Sequence, residues 1–196
     1  MDFQSLENGP CKPFDLTRNG LSLGEGCGTI ILTSNESYAS TPKIEFLSGS
    51  SANDSNHISG PSRTAEGLHL AIQGSLIESG LTADQIDYIS AHGTATPFND
   101  EMETQALVRS NMQHIPVNSF KGYFGHTLGA AGVIESILTI HSLKSNKLFK
   151  TLGFNTLGVT ENINVISEHT TSSINYGMKL ASGFGGCNAT AIFAKK

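Results

Sequence analysis

The chain has 196 residues, of which 15% are charged and 38% are hydrophobic, and its formal net charge is −5. This much apolar sequence with so little charge predicts a folded chain, and the length suits one domain. The negative charge and the lack of a basic run argue against nucleic-acid binding. No apolar stretch reaches the roughly 18 residues of a membrane span, and the first residues do not resemble a signal peptide.

Three cysteines, Cys11, Cys27 and Cys187, stand far apart and form no paired motif. This pattern predicts a reducing, cytoplasmic compartment rather than a disulfide framework or a zinc site. Cys11 falls in a connector, Cys27 in a predicted buried strand, and Cys187 at a position that we interpret as inert packing.

The first third of the chain is predicted to run from a connector into a sheet. Residues 1–20 are polar and rich in turn formers, which indicates a connector. The glycine-rich, β-branched run at 24–33 predicts a buried strand, and the alternation at 43–47 predicts a second one. Residues 48–62 are rich in Ser, Asn and Gly and indicate a solvated loop or a substrate lid.

Strands and helices then alternate. Apolar residues at helical spacing predict a helix over 65–79 that ends at Gly80, and further helices are predicted over 100–110 and 128–143. Together they predict an α/β fold, with helices on the faces of a mostly parallel sheet. The predicted strands of this second part are 86–92, 116–119, 163–167, 176–182 and 189–194.

The helix over 128–143 is apolar around most of its circumference, which indicates burial on both sides. One sheet can cover only one of these sides. We therefore expect a later part of this chain, or another chain, to cover the other side.

Two histidines follow strands that we predict to be parallel neighbours. His92 ends one strand, and His126 lies between the next strand and the apolar helix. The carboxyl ends of parallel strands are where α/β sheets place their sites, so a paired-imidazole site is one interpretation. The other is that each histidine has a structural or surface role.

Lys121 and Glu135 lie near His126 in sequence. A lysine in a tight glycine loop and a glutamate on a buried helix predict an ion pair that fixes the site and tunes the imidazole pKa. The alternative is a solvated Lys121 and a Glu135 at the helix edge.

A GFGG turn at 183–186 joins the last two strands. Its backbone N–H groups could donate hydrogen bonds to an oxyanion. The alternative interpretation is a glycine-rich hairpin without such a role.

Three segments, AHGTATPFND, NSFKGYFGHTLGAAGVIE and ASGFGGCNA, resemble the C-terminal motifs of the β-ketoacyl-acyl carrier protein synthases of the thiolase superfamily. The resemblance covers residues 3–194 and implies a thiolase-like half: a three-layer αβα fold with a mixed five-stranded sheet. It also implies residues 1–20 as a connector from an absent N-terminal half, followed by a C-terminal synthase domain over 21–196.

The resemblance further implies a role for each matching residue. His92 and His126 match the histidines that assist decarboxylation of a malonyl-carrier thioester and stabilise its enolate, supported by Lys121 and Glu135. Asp100 matches a structural acidic residue. The remaining matches are the phosphopantetheine-binding hydroxyls of Thr94 and Thr96, the oxyanion donor and gating ring of Phe184, and Gly185 beside it.

The sequence departs from the family pattern in two places. Ser182 stands where many members carry a second gating phenylalanine. The nucleophilic cysteine belongs to the N-terminal half, so we expect no elongation by this chain alone. We expect no cofactor, since substrates ride on the phosphopantetheine of an acyl carrier protein.

The expected partners are that carrier protein and either the N-terminal half or a second copy, bound through the face of the 128–143 helix. Two other functions stay open: a non-catalytic partner subunit like a chain-length factor, and a simple malonyl decarboxylase.

Overall fold

A computed structural model describes residues 9–38, 41–54 and 60–196 of the chain. The α-helices in these residues are α1 (Glu66–Ser79), α2 (Pro97–Arg109), α3 (Lys121–Phe124) and α4 (Ala131–Ser145). The strands are β1 (Ile44–Asn53), β2 (Tyr88–Ser90), β3 (Val117–Asn118), β4 (Lys147–Leu148), β5 (Thr170–Thr171), β6 (Tyr176–Ser182) and β7 (Cys187–Lys195). Short 3-10 turns lie at Glu36–Tyr38, Ala83–Gln85, Leu128–Ala130 and Phe184–Gly186.

A five-stranded mixed sheet in the order β1-β7-β6-β2-β3 forms the centre of the fold. β3, β2 and β6 are parallel, whereas β7 is antiparallel to both β6 and β1. The predicted α/β fold is therefore confirmed, with fewer parallel pairs than expected. The reason is that β6 and β7 are joined by the short GFGG turn, and such a turn can only connect antiparallel neighbours.

Helices cover both faces of this sheet. Side chains of α1, α2 and one sheet face form the main core, which includes Leu68, Ile72, Leu107, Ile89 and Met178. On the other face, Leu143 of α4 packs with Tyr88 and Phe193. The strand alternation at β6 places Met178 toward the main core and its neighbour Gly177 against α4, so the two layers are separated by one sheet.

The predicted strand over 24–33 is wrong. These residues form no strand, and Ile31 is 86% exposed. The β-branched run instead crosses the outer side of α4, where a Cβ added at Gly28 would lie 2.9 Å from Ile137 Cδ1. A strand needs a neighbouring strand for its backbone hydrogen bonds, and this segment has none within the described residues. Cys27, which lies in it, is exposed rather than buried.

The first strand of the sheet is longer than predicted. β1 continues through Asn53, into the segment that its Ser and Gly content indicated as loop, because each residue there pairs with the long strand β7. Residues 55–59 of that predicted loop lie outside the described residues. The predicted strand over 163–167 is reduced to one bridge between Val165 and Val117. Cys187 is exposed at the start of β7, so it is not a packing residue.

The connector is tied closely to the rest of the fold. Phe14 is fully buried in the main core, and the Asp15 carboxylate accepts hydrogen bonds from the backbone of Asn155 and Thr156 at 2.7 and 2.9 Å. The described part of the connector, residues 9–20, is thus held by specific contacts at Phe14 and Asp15.

Helix α4 buries polar side chains beside apolar ones such as Leu143. Its buried residues include Glu135, Ser136, Thr139 and Ser142, whereas Val133 is exposed. The hydroxyls of Ser136 and Thr139 donate to carbonyls one turn earlier in the same helix, which satisfies them without an external partner. Leu143 also packs on the sheet side, whereas Ile134 and Ile137 face the crossing segment at Gly28. In the part of the chain that the structure describes, no helix has the length and apolarity needed to cross a membrane.

Candidate active site

The two candidate histidines meet at the carboxyl edge of β2 and β3. His92 follows β2, and His126 follows the short helix that continues from β3. Their ring centroids are 5.1 Å apart, and the rings are nearly perpendicular, at 83°. The sequence-based pairing of the two imidazoles is thus present in the structure.

Hydrogen bonds fix the same tautomer in both rings. Lys121 Nζ lies 3.2 Å from His92 Nδ1, and the backbone N–H of Leu128 donates to His126 Nδ1 at 3.1 Å. An ammonium and a backbone N–H are donors only, so both Nδ1 atoms act as acceptors. The proton of each neutral ring is therefore on Nε2, and the site holds two Nε2–H donors.

Electrostatics keep both rings neutral. Burial, followed by the charges of Lys121 and Lys179, lowers the pKa of His92 well below its ordinary value. Burial, followed by the charge of Lys121, lowers the pKa of His126 to about 4. At neutral pH both side chains are therefore uncharged hydrogen-bond donors rather than cations.

The predicted ion pair between Lys121 and Glu135 is confirmed. Lys121 Nζ lies 2.6 Å from Glu135 Oε1, and it also donates to the His92 carbonyl at 2.5 Å. A second lysine, Lys179, lies 2.5 Å from the other oxygen of the same carboxylate. Burial acts to raise the pKa of Glu135, but the charges of Lys179 and Lys121 outweigh it and lower that pKa.

A buried glutamate that the sequence did not reveal shapes the His92 turn. Glu103 of α2 accepts the backbone N–H groups of His92 and Gly93, both at 2.6 Å, and the Asn99 side chain at 3.0 Å. These are short, charge-assisted hydrogen bonds. They hold the N–H of His92, while Lys121 holds its carbonyl.

The threonines of the loop after His92 lie side by side. Thr94 Oγ1 and Thr96 Oγ1 are 2.7 Å apart, and both residues are buried. Asp100 accepts the backbone N–H groups of Thr94 at 3.1 Å and of Phe14 at 2.8 Å. Burial raises the pKa of Asp100 to about 7, assisted by the charge of Glu103 and opposed by the Phe14 hydrogen bond.

The backbone of His126 is held by residues 22–24, which lie just before the segment that crosses α4. His126 N–H donates to the Ser22 carbonyl at 2.7 Å, and Gly24 N–H donates to the His126 carbonyl at 3.1 Å. A Cβ at Gly24 would lie 1.8 Å from the carbonyl oxygen of Phe124. Only glycine fits this close backbone approach.

The GFGG turn is braced by a network that includes one carboxylate. Asn188 Nδ2 donates to Asp54 Oδ2 at 2.9 Å, and the Asp54 N–H donates to the Gly186 carbonyl at 2.8 Å. Gly185 has a φ of 85°, a conformation suited to glycine, and Phe184 is 69% exposed. The turn is thus more than a bare hairpin, while the predicted roles of Phe184 and Gly185 stay predictions.

Two neutral N–H donors held in one orientation suit a reaction that develops negative charge on an oxygen. The sequence predicted the two histidines, together with Lys121 and Glu135. It did not reveal Lys179 or Glu103. A charged residue within the apolar strand YGMKLAS was the available signal for Lys179.

Comparison with known proteins agrees with these motifs. Residues 46–155 match the family described as β-ketoacyl synthase, C-terminal domain. The chain is 35% identical over 199 residues to a mitochondrial 3-oxoacyl-(acyl-carrier-protein) synthase of Schizosaccharomyces pombe, covering 94% of this chain and 46% of that protein. It is 32% identical over 192 residues to 3-oxoacyl-(acyl-carrier-protein) synthase 2 of Staphylococcus aureus, with the same coverage.

Solved structures show the same fold. A β-ketoacyl synthase from Burkholderia phymatum aligns with a TM-score of 0.88 and 29% identity, over 99% of this chain and 49% of that one. A type II polyketide ketosynthase in complex with its acyl carrier protein aligns with a TM-score of 0.90 and 28% identity, over 98% and 50%. This chain spans about half the length of the curated relatives that it matches, and it belongs to the β-ketoacyl synthase family, whose C-terminal domain it contains.

Proposed function

We propose that this chain is the C-terminal half of a 3-oxoacyl-acyl carrier protein synthase in which His92 and His126 promote a decarboxylative Claisen condensation. The observation that carries the proposal is the pair of imidazoles whose Nδ1 atoms both accept hydrogen bonds. Two Nε2–H groups are thereby available to bind one thioester oxygen.

The chemistry follows from where the charge develops. When a malonyl-carrier thioester loses CO₂, the electron pair of the broken C–C bond moves into the thioester and forms an enolate. The negative charge collects on the thioester oxygen, where fixed N–H donors lower the energy of the transition state. The enolate carbon then attacks an acyl thioester, forming a C–C bond and releasing a thiolate.

Neutral rings serve this purpose without a proton transfer. A cationic imidazole beside Lys121 would cost more to bury, and the low pKa of His126, about 4, avoids it. Lys121 and Glu135 orient the His92 ring in this scheme. Thr94 and Thr96 hydrogen-bond the phosphopantetheine arm, and the N–H of Phe184 beside Gly185 binds the oxygen of the acyl thioester.

An exposed apolar face supports the proposed partners. Phe124, Leu128 and Val133 are exposed beside the outer side of α4, as are Ile31 and Leu32 of the crossing segment. Several large apolar side chains exposed around one helix are a feature of interaction sites. We assign it to the N-terminal synthase half or to a second copy of the chain, and we propose an acyl carrier protein as the substrate-bearing partner.

The nucleophile of the condensation is proposed to come from that other half. Burial raises the pKa of the Cys11 thiol, which makes it a poor nucleophile. We therefore expect no 3-oxoacyl product when the chain is supplied with acyl and malonyl thioesters. A 3-oxoacyl product detected by mass spectrometry would contradict this expectation. The cytoplasmic location stays a prediction, since one relative is mitochondrial.

The test is release of ¹³CO₂ from a malonyl-pantetheine thioester labelled in its free carboxylate. The chain is expected to release CO₂ faster than buffer, and H92A and H126A are each expected to lower that rate about 100-fold or to the buffer rate. H114A is the matched control, because His114 is exposed and remote from the site motifs. Equal rates for the chain, H92A and H126A would overturn the proposal.

The second candidate is a non-catalytic partner subunit. It is favoured by the likeness to structures of ketosynthases solved with a chain length factor, one of which aligns with a TM-score of 0.83 and 26% identity. The same assay separates the two candidates. A chain that binds an acyl carrier protein yet releases CO₂ only at the rate of H92A is a partner subunit.

A further inference from the structure

Lys179 is a buried lysine in the middle of β6, a strand with β2 on one side and β7 on the other. It is 3% exposed, and its neighbours Met178 and Leu180 point into the main core on the opposite face of the sheet. Lysines are almost never fully buried unless they are paired. The mechanism proposed above does not use this residue.

Three oxygen atoms surround the Lys179 ammonium. Glu135 Oε2 lies at 2.5 Å, and the carbonyls of Ala91 and Ser90 accept hydrogen bonds at 2.9 and 3.4 Å. The ammonium donates to the two carbonyls and forms an ion pair with the Glu135 carboxylate. The lysine is therefore held as a cation in a small polar site between β2, β6 and α4.

Two of these oxygens connect Lys179 to His92: the carbonyl of Ala91 and the carboxylate of Glu135. Ala91 lies directly between the end of β2 and His92. The other oxygen of Glu135 holds Lys121, whose Nζ contacts His92 Nδ1. Lys179 thus contacts the backbone before the histidine and the carboxylate that fixes its neighbour, without contacting either imidazole.

We propose that Lys179 is a positioning residue of this site: it holds Glu135 and the end of β2 together, so that Lys121 stays against His92 Nδ1. The importance of this arrangement for catalysis rests on the proposed function. Without the second cation, Glu135 is free to draw Lys121 away from the ring, and the fixed orientation of His92 is lost.

The charges around the ammonium give the proposal a measurable consequence. It faces Glu135 from α4, Lys121 from α3, Glu103 from α2 and the two histidines. The Lys179 charge adds to the burial and the Lys121 charge that lower the pKa values of His92 and His126. Removing it leaves Glu135 with one cation instead of two, so both histidine pKa values are expected to rise.

The experiment compares the chain with K179M, K179R and L180M, each labelled with ¹⁵N-histidine. Met replaces the lysine with an apolar side chain of similar length, Arg keeps the charge, and L180M is the matched control at the neighbouring buried position. Ring nitrogen shifts are followed from about pH 4 to pH 8. In K179M the pKa of His92 is expected to rise, and that of His126 is expected to rise above about 4 by a smaller amount, since burial and the Lys121 charge are the larger causes of its shift.

K179R and L180M are expected to keep the histidine titrations of the unmodified chain. CO₂ release by K179M is expected to fall about 10- to 100-fold, with a smaller loss in K179R. Unchanged histidine titrations in a folded K179M overturn the inference. Histidines of K179R that titrate like those of K179M, or like those of unfolded chain, overturn it as well. Raised histidine pKa values in K179M, combined with no CO₂ release by the unmodified chain, uphold the positioning role and reject the proposed function.

Discussion

Replacement of Glu103 by glutamine tests how strongly the His92 turn depends on one buried carboxylate. Each oxygen of Glu103 accepts a backbone N–H at 2.6 Å, one from His92 and one from Gly93. Glutamine keeps one acceptor oxygen and places an NH₂ group against the other N–H. One charge-assisted hydrogen bond, worth about 1.5–3 kcal/mol, is lost, and a buried backbone N–H is left without an acceptor.

The expected net loss is about 2 kcal/mol in the free energy of unfolding, at the lower end of this range. The reason is that burial raises the pKa of Glu103, so a neutral amide avoids part of the cost of burying a charge. For a chain of this size, the loss corresponds to a Tm lowered by about 4–8 °C. Urea unfolding followed by circular dichroism measures the free energy directly, provided that the slope m is unchanged.

Glu66→Gln is the matched control for this change. Glu66 is exposed and pairs with Arg109 at 2.6 Å on the surface, where an ion pair contributes at most about 1 kcal/mol. The larger loss in E103Q is expected because Glu103 accepts two buried backbone N–H groups, whereas Glu66 is on the surface. Equal free energies of unfolding for E103Q and E66Q would refute this reasoning.

Two further predictions concern the backbone and pH. Gly24→Ala is expected to lower the free energy of unfolding by about 2 kcal/mol or more, because its Cβ meets the Phe124 carbonyl at 1.8 Å. Gly129→Ala, whose Cβ meets nothing within 4 Å, is the control, and equal losses in urea unfolding would contradict the prediction. Asp100 has a folded pKa of about 7 against 3.8 unfolded, so between these values the folded state keeps a proton that the unfolded state releases. Its contribution to stability therefore falls by about 4 kcal/mol as the pH rises through this window. The difference in unfolding free energy between the chain and D100N should fall accordingly, and a constant difference would contradict it.

The parts of the fold that were predictable from sequence are those set by local patterns. The helix that ends at Gly80 and the strand over 176–182 have the predicted ends, because capping glycine and apolar spacing are short-range signals. The strand predicted over 24–33 failed for the opposite reason. Its residues have high strand propensity, but a strand also requires a paired neighbour, and that is a property of the whole sheet.

Helix α4 shows a different limit of sequence reasoning. Its apolar residues suggested burial on both sides, yet the buried side also carries polar residues, among them Glu135 and Thr139. Two lysines from elsewhere in the chain, Lys121 and Lys179, make that polar surface favourable. The periodicity of one helix contains no information about charges that another strand brings to it.

The candidate site was predictable only as far as its motifs reach. His92, His126, Lys121 and Glu135 lie in segments whose sequence is distinctive, and the structure brings them together. Glu103 accepts backbone N–H groups from residues ten and eleven positions earlier in the chain. In the sequence it cannot be distinguished from a glutamate on the surface of a helix. Contacts to the backbone carry no signature in the sequence of the residue that makes them.

The central claim is that His92 and His126 are neutral at pH 7 and carry their protons on Nε2. Long-range ¹H–¹⁵N correlation spectra of the ¹⁵N-histidine-labelled chain at that pH report protonation at each ring nitrogen. The structure predicts that both residues show a pyrrole-like Nε2 and a pyridine-like Nδ1. An imidazolium spectrum for either residue, or a proton on Nδ1 of either ring, would contradict the account.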